Sequence, residues 1–421
     1  MDLADRGVAE FTTPYNAPPP RTAPTMNGFV ADYISHWWAA TGRQPYFQEY
    51  RQIMAGYTPD QVPVLSTLAR GFATFDHWFC DVPSQTFTNR SFFHAATSSG
   101  LVINLDEYSD FVRDNTAETV FERLEAAGLD WKVYCDPPSH YSLTGFIHAR
   151  RLRGRFASNF FSTAQFFADA ESGQLPAYSF IEPQIIGWNH NDMHPPFWAS
   201  MPGLIWDPPS SVLAGEDLLA RIYHAIRSSS TAEGSHYLNT TLLVTFDEHG
   251  GTYDHVRPGP APAPTPGAPA GQHGFTFDRV GVRIPTIAVS AWIPSATVVT
   301  EEHWGTSVLA TLRERWRLGA PLSGRDAAAR SFTDVFTLDT PRAQEDWPDI
   351  IARPVPELHE SLVPLAAPLG AHAKALFAGV LTLGGQLGVV LPEIDLDTAT
   401  GAEALEATHG VLGGLFPHMT N

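Results

Sequence analysis

Asp247, Glu248 and His249 stand side by side in L-L-V-T-F-D-E-H-G-G-T-Y-D-H (242–255), with Asp254 and His255 shortly after. Two carboxylates with imidazoles beside them suit a divalent cation. A second group of reactive residues is T-F-T-N-R (86–90), which holds the hydroxyls of Thr86 and Thr88 and the amide of Asn89. A third is N-D-M-H (191–194), with Asn191, Asp192 and His194. Together they supply a hydroxyl nucleophile, amide and imidazole donors, and carboxylates for a metal. That inventory fits in-line attack on a phosphate ester. A cation lowers the pKa of the hydroxyl and neutralises phosphoryl oxygens, and the donors stabilise charge that develops in the transition state.

These residues need elements to aim them. Leu242–Phe246 has the length and β-branched content of a strand buried on both faces. Neighbouring side chains alternate faces along a strand, so Asp247 and Glu248 converge only if the backbone turns, which Gly250-Gly251 permits. Pro83 and small polar residues mark a turn before Thr86, and Ser91–Thr97 reads as helix. Thr86 therefore sits at or just before a helix N-terminus, where free N–H groups and the dipole favour a bound phosphate. A simple capping role for Thr86 or Thr88 is the competing reading. Helices are also predicted over Met26–Trp38, over Thr116–Ala127 with Thr116 as cap, and around Leu218, Ile222 and Ile226. Strands are predicted at Trp131–Cys135, Ala177–Ile181 and Pro285–Ser290. Alternating helices and strands argue for an α/β fold with a mostly parallel sheet covered on both faces, in which ligands gather outside the carboxyl ends of the strands.

Residues 1–25 form a Pro-rich arm, 26–320 the catalytic domain, and 321–421 a mainly helical extension rich in Ala, Leu, Gly and Pro. The chain has 421 residues, 43% of them apolar, and a net charge of −19 from 45 acidic and 26 basic residues. Such a surface repels nucleic acid and gains little from anionic bilayers. Cys80 and Cys135 leave one optional bridge and exclude a disulfide scaffold. Met1–Glu10 lacks the apolar core of a signal peptide, and Ala375–Leu391 is too broken by glycines to span a membrane. Arg150, Arg151, Arg153 and Arg155 read as a solvated basic loop. Trp188, Phe197, Trp198, Trp206 and Trp292 read mainly as packing, with a choline-type cage through cation–π contacts as the alternative.

The segments V-P-S-Q-T-F-T-N-R-S-F-F-H-A-A-T-S-S-G (82–100), I-E-P…N-D-M-H-P-P (181–196), V-T-F-D-E-H-G-G-T-Y-D-H-V (244–256) and F-D-R-V-G-V-R-I-P (277–285) resemble the bacterial and plant phospholipase C/acid phosphatase family of phosphoesterases. The resemblance implies an alkaline-phosphatase-like three-layer α/β/α fold. It makes Thr86 the nucleophile and Asp247 and Glu248 the metal-binding pair, with the Thr86 hydroxyl also on the metal. Asn191, Asp192 and His194 fall on the family's phosphate region, and Asn89 on the Asn of the nucleophile motif. His255 and His303 are the further substrate-binding candidates. One divalent cation is expected, and calcium, zinc, manganese and magnesium all remain open.

The chain departs from the family pattern at three places. Thr88 stands where the family has Pro. Trp304 and Gly305 interrupt the late acidic-His-Thr-Ser motif after His303. The family's opening strand, which ends in Glu-Asn, has no match before Met26. The expectation is that an upstream segment encodes that strand, and that the chain as written is poorly soluble or inactive because its sheet has a gap in the middle. The reading favoured is a metal-dependent phosphoesterase of phospholipase C type acting on a phosphate ester or phospholipid through a phospho-threonine intermediate. A phosphomonoesterase and a non-catalytic relative binding phospho-ligands are the alternatives. Oligomeric state is not legible.

Overall fold

The computed structural model describes residues 26–104, 110–136, 142–185, 190–194, 211–356 and 365–416. The arm at 1–25 and the aromatics at 188, 197, 198 and 206 lie outside the described residues. The apolar runs become short strands: β1 Ala73–Phe75, β2 Trp78–Phe79, β3 Trp131–Cys135, β4 Phe160–Ser162, β5 Tyr178–Glu182, β6 Leu242–Val244, β7 Ile287–Val289, β8 Thr297–Val299 and β9 His303–Trp304. They pair as β6-β7-β1-β8, as β4-β3-β5 and as β2-β9. Pairing is parallel for β3 with β4 and β5, for β1 with β8 and for β2 with β9, and antiparallel where β7 meets β1 and β6. The α/β class with a mostly parallel sheet is thus observed.

One expectation needs correction. Leu242–Phe246 is not a strand buried on both faces. β6 stops at Val244 and all of its residues are partly exposed. The cause is on its open side. Among the described residues β6 pairs with β7 alone and β5 with β3 alone. Their other edges face a cavity of about 1040 Å³ lined by Tyr178–Ile181 and Leu242–Asp247. The sheet is split there, and both bordering strands lose half of their cover.

The helices that position the site are α1 Phe29–Thr41, α2 Pro63–Gly71, α3 Thr86–Ala95, α4 Val120–Ala126, α5 Thr163–Ser172 and α6 Val212–Ser228. Further on come α7 Ser307–Trp316, α8 Ala371–Gln386 and α9 Gly401–Leu415. Thr119, not Thr116, caps α4, because Glu122 three residues on returns the bond in a capping box. Pro63 opens α2, and the Glu216 carboxylate on α6 accepts from the N–H groups of Val64 and Leu65, both at 2.8 Å. A carboxylate from another helix thus satisfies donors that α2 cannot pair within itself. Among the described residues no helix is long and apolar enough to cross a membrane.

Residues past 320 reach well into this framework. Arg325 is 0% exposed and Asp81 1%. The Arg325 guanidinium donates to the carbonyls of Asp81, Pro262 and Phe277 and lies 3.5 Å from the Asp81 carboxylate. Asp81 also accepts from the N–H and hydroxyl of Thr306. Burial outweighs these partners and lifts the Asp81 carboxyl to about 6. It likewise depresses the Arg325 guanidinium. Trp347 packs on Phe72 with ring centroids 5.0 Å apart. α8 and α9 pack on each other, and Gly379 lets the Phe146 ring lie against the backbone of α8.

A charge pair whose partners both resist ionisation is costly to break and cheap to replace. Arg325→Leu should therefore destabilise the fold by about 3–5 kcal/mol, and adding Asp81→Asn should recover much of that loss in a denaturant titration. The sign of the pH effect follows from the raised Asp81 value. Between 3.8 and about 6 the folded chain holds a proton that the unfolded chain has released, so this group's contribution to stability falls as pH rises through that window. Asp81→Asn should flatten the melting midpoint over the same range.

Candidate active site

α3 is built to present a hydroxyl. Pro83 and a stretch of small polar residues bring the chain into Gln85, whose extended backbone precedes the first helical residue, Thr86. Asn89 holds that approach together. Its Oδ1 accepts from the Val82 N–H at 2.9 Å, and its Nδ2 donates to the carbonyls of Val82, Ser84 and Gln85. Asn89 thus positions the loop, with its amide fully engaged there. The two threonines differ. Thr88 is fully buried and donates to the Leu101 carbonyl at 3.1 Å, whereas the Thr86 hydroxyl has no hydrogen-bond partner among the described residues. Of the two, Thr88 is committed to the fold and Thr86 is not, among the described residues.

Arg90 lies one turn beyond Thr86 and so on the same face of α3. Its Nε donates to Asp247 Oδ2 and its Nη1 to Glu182 Oε1, each at 3.2 Å. Glu182 ends β5 and is fully buried. It also accepts from Ser142 Oγ and from the N–H and hydroxyl of Thr144. Asp247 and Glu248 follow β6, and Gly250 and Gly251 turn the chain back at φ +66° and +74°. That is the expected glycine break. The Gly250 N–H donates to Glu248 Oε2 at 2.7 Å. Glu248 is partly exposed as a residue, but its carboxyl end lies deep. Burial first and the neighbouring Asp247 charge second raise its pKa to about 8. Cys80 and Cys135 are both free and buried. Burial and nearby carboxylates push both thiols up, so neither provides a thiolate at neutral pH.

The third cluster is more tightly bonded than its sequence shows. Asn191 Oδ1 accepts from the Gln184 N–H at 2.7 Å and Nδ2 donates to Asp136, just past β3. Asp192 lies against the His190 ring and accepts from the His194 N–H. Burial alone would raise the Asp192 pKa, but the His190 and His194 charges and hydrogen bonds hold it at about 2. Asn89, Arg90, Asn191, Asp192 and Asp247 line the same cavity. Thr86, His194, Glu248, His255 and His303 are not in that lining, and the last two stand well apart from it. His255 has a side chain 75% exposed beside Asp254, which is held by Arg283. His303 is buried, stacked on Trp78 at 5.5 Å, with burial lowering its pKa.

Arg90, Glu182, Asp136 and His190 complete this arrangement and were not singled out from the sequence. Glu182-Pro183 at a strand end and Arg90 at the close of T-F-T-N-R were the available signals. For a cation, the described residues bring only Asp247 and Glu248, and Arg90 already balances Asp247. No group of three His, Cys, Asp or Glu side chains that could hold a metal occurs among the described residues. By themselves these residues do not make a complete metal site.

The Phosphoesterase family model matches residues 21–319. This chain belongs to the Phosphoesterase family. Within the family it is similar to non-specific phospholipase C6 of Arabidopsis thaliana, at 33% identity over 77% of this chain and 59% of the relative. Non-specific phospholipase C3 of the same plant is 32% identical over 79% of this chain and 60% of the relative. Phospholipase C A of Mycobacterium tuberculosis is 25% identical over 68% and 57%. The chain thus spans about three fifths of the length of these curated relatives. Among solved structures, an alkaline phosphatase superfamily protein from Vibrio parahaemolyticus aligns with TM-score 0.38 and 13% identity over 68% of this chain and 65% of that one.

The two threonines at the start of α3 should separate in stability measurements. Thr88→Ala removes a buried hydroxyl bond to the Leu101 carbonyl, which keeps the Ser98 hydroxyl as a second donor, so the cost is about 0.5–1.5 kcal/mol. Thr86→Ala removes no protein hydrogen bond and should stay within about 0.5 kcal/mol in the same chemical unfolding experiment.

Proposed function

We propose that this chain carries the chemistry of a phospholipase C-type phosphoesterase, with Thr86 as nucleophile. The Thr86 oxygen forms a bond to phosphorus as the bond from phosphorus to the lipid alkoxide breaks. The alkoxide takes up a proton and leaves, and phospho-threonine still carries the headgroup. Water then cleaves the threonine ester and releases the phosphorylated headgroup. The Phe87 N–H at the start of α3 already donates to Asn104 Oδ1 at 2.9 Å, so N–H stabilisation of the phosphoryl oxygens falls to its neighbours in that turn. His194 is the candidate donor to the departing oxygen, and Asn191 and Asp192 hold the loop that carries it.

The observation that carries this reading is the bridge from Arg90 to Asp247 and Glu182. It draws the helix of the free hydroxyl to the carboxyl ends of two strands at the wall of one cavity. The relatives' names, phospholipase C in plants and in a mycobacterium, support the diester class of substrate. Asp247 and Glu248 are the chain's own contribution to a divalent-cation site that needs further ligands.

The test compares p-nitrophenylphosphorylcholine with p-nitrophenyl phosphate, with added divalent cations and with a chelator. Diester turnover that Thr86→Ala lowers by about a thousandfold or more, with the melting midpoint within a few degrees, is the expected result. Thr86→Ser should retain part of the rate. Asp247→Asn should lose bound cation in elemental analysis along with activity. Turnover of the monoester alone would make the chain a phosphatase. Full activity in chelator, on metal-free protein, would end the metal assignment. Inertness toward both substrates with cation bound would leave a phospho-ligand-binding relative.

A further inference from the structure

The short α-helix Phe47–Tyr50 runs on as a 3-10 helix over Arg51–Met54, and the two sides of this segment are unlike. On one side Glu49 pairs with Arg43 at 2.7 Å, and Ile53 is buried. Phe47, Tyr50, Arg51 and Met54 recur at i, i+3, i+4 and i+7, so they share the opposite face. The rings of Phe47 and Tyr50 meet there edge-on at 5.5 Å. That face is turned to solvent. Phe47 and Met54, with Tyr46 and Tyr57 at either end, are 52–70% exposed. Single exposed apolar side chains are ordinary, but a run of them along one face of a segment marks a contact surface.

The buried side of the segment is fastened beside the candidate site. The Tyr253 N–H donates to the Ile53 carbonyl at 2.8 Å, in the loop that directly follows Glu248. Phe29, at the start of α1, packs edge-on against His249 and Tyr253 of the same loop, at 5.9 and 5.4 Å between ring centroids. Charge then sorts the partners this face would accept. The whole chain carries −19, yet residues 42–57 hold Arg43 and Arg51 against Glu49 alone, a balance of +1. Arg43 takes both oxygens of Glu49, and Arg51 makes no ion pair among the described residues. An unpaired guanidinium on a long apolar stem, set among aromatic rings and a methionine, suits a lipid surface. The rings and stem lie among the first acyl carbons while the charge reaches a phosphate. The acidic remainder of the chain opposes an anionic bilayer, so the matching surface is zwitterionic.

We propose that the exposed face of residues 46–57 is a docking surface for a zwitterionic phospholipid bilayer, which seats the rim after Glu248 against the lipid headgroups. Tyr46, Phe47, Met54 and Tyr57 enter the interface, and Arg51 takes a lipid phosphate. This inference rests on the phospholipase C-type reading for its purpose, while docking itself is measured without turnover.

The experiment is co-sedimentation of the 421-residue chain with sucrose-loaded phosphatidylcholine vesicles, beside turnover of p-nitrophenylphosphorylcholine, a soluble diester that needs no surface. The chain should sediment with the vesicles. Phe47→Ser combined with Met54→Ser should lower the partition coefficient by about tenfold or more, and Arg51→Gln by less. Tyr46→Ser with Tyr57→Ser gives an independent second pair with the same expected direction. All of these side chains are solvent-facing, so melting midpoints should hold within a few degrees and the soluble diester should turn over as before. Val390→Ser, at an exposed apolar residue in another part of the chain, should leave partition unchanged. Failure to sediment would overturn the proposal, as would equal loss in the Val390 variant or binding only to vesicles that contain phosphatidylserine. A concentration-dependent dimer in light scattering, abolished by the Phe47 and Met54 pair and unaccompanied by vesicle binding, would replace the bilayer with a second copy of this chain. Sedimentation that depends on this face, in a chain inert toward the diester, would uphold the docking surface and remove the enzymatic reading.

Discussion

Everything at this site depends on one guanidinium. Arg90 is flanked by a fully buried glutamate from one sheet and an aspartate from the other, and it satisfies both at 3.2 Å. Burial of three charged groups is tolerable only when they neutralise and hydrogen-bond one another. Glu182 takes its remaining bonds from Ser142 and Thr144, so its position is over-determined. Arg90 is thereby fixed, and with it the face of α3 that carries Thr86 one turn earlier. The aspartate on the other side has fewer constraints: its Oδ1 accepts only from the Glu248 N–H among the described residues.

Much of this was legible from residue type and order. The glycine break and the threonine at a helix start are local consequences of φ freedom and turn chemistry, and both are found as read. What escaped was anything that depends on distant partners. Nothing near residue 90 says that its side chain meets residues 182 and 247. Nothing near residue 191 says that its amide is consumed by Gln184 and Asp136. The Thr116 cap was misplaced by three residues because the deciding group is the Glu122 carboxylate. β6 read as fully buried because composition reports what a strand is suited to, and its cover depends on a neighbour.

The two halves of the sheet also differ in what holds them. β4-β3-β5 is parallel throughout and backed by α5, whose Asp169 binds Lys132 and Tyr134 across the strand. β6-β7-β1-β8 is mixed, and its strands are three residues each. Arg90 is a bond between these two unequal pieces as well as a site residue. Motions that change their separation would alter the geometry around Asp247.

The strut from Arg325 to Asp81 bears on how this protein is divided. The family match ends at residue 319, which invites a boundary there. Yet the guanidinium six residues later donates to the Asp81 carbonyl, directly before the loop that leads into Thr86. A fragment cut at 319 would leave the Asp81 carboxylate without its cation in a site closed to water, and the loop without its anchor. Homology and mechanical integrity thus draw different borders on this chain. For any shortened version, the first residue that can be spared lies beyond Arg325.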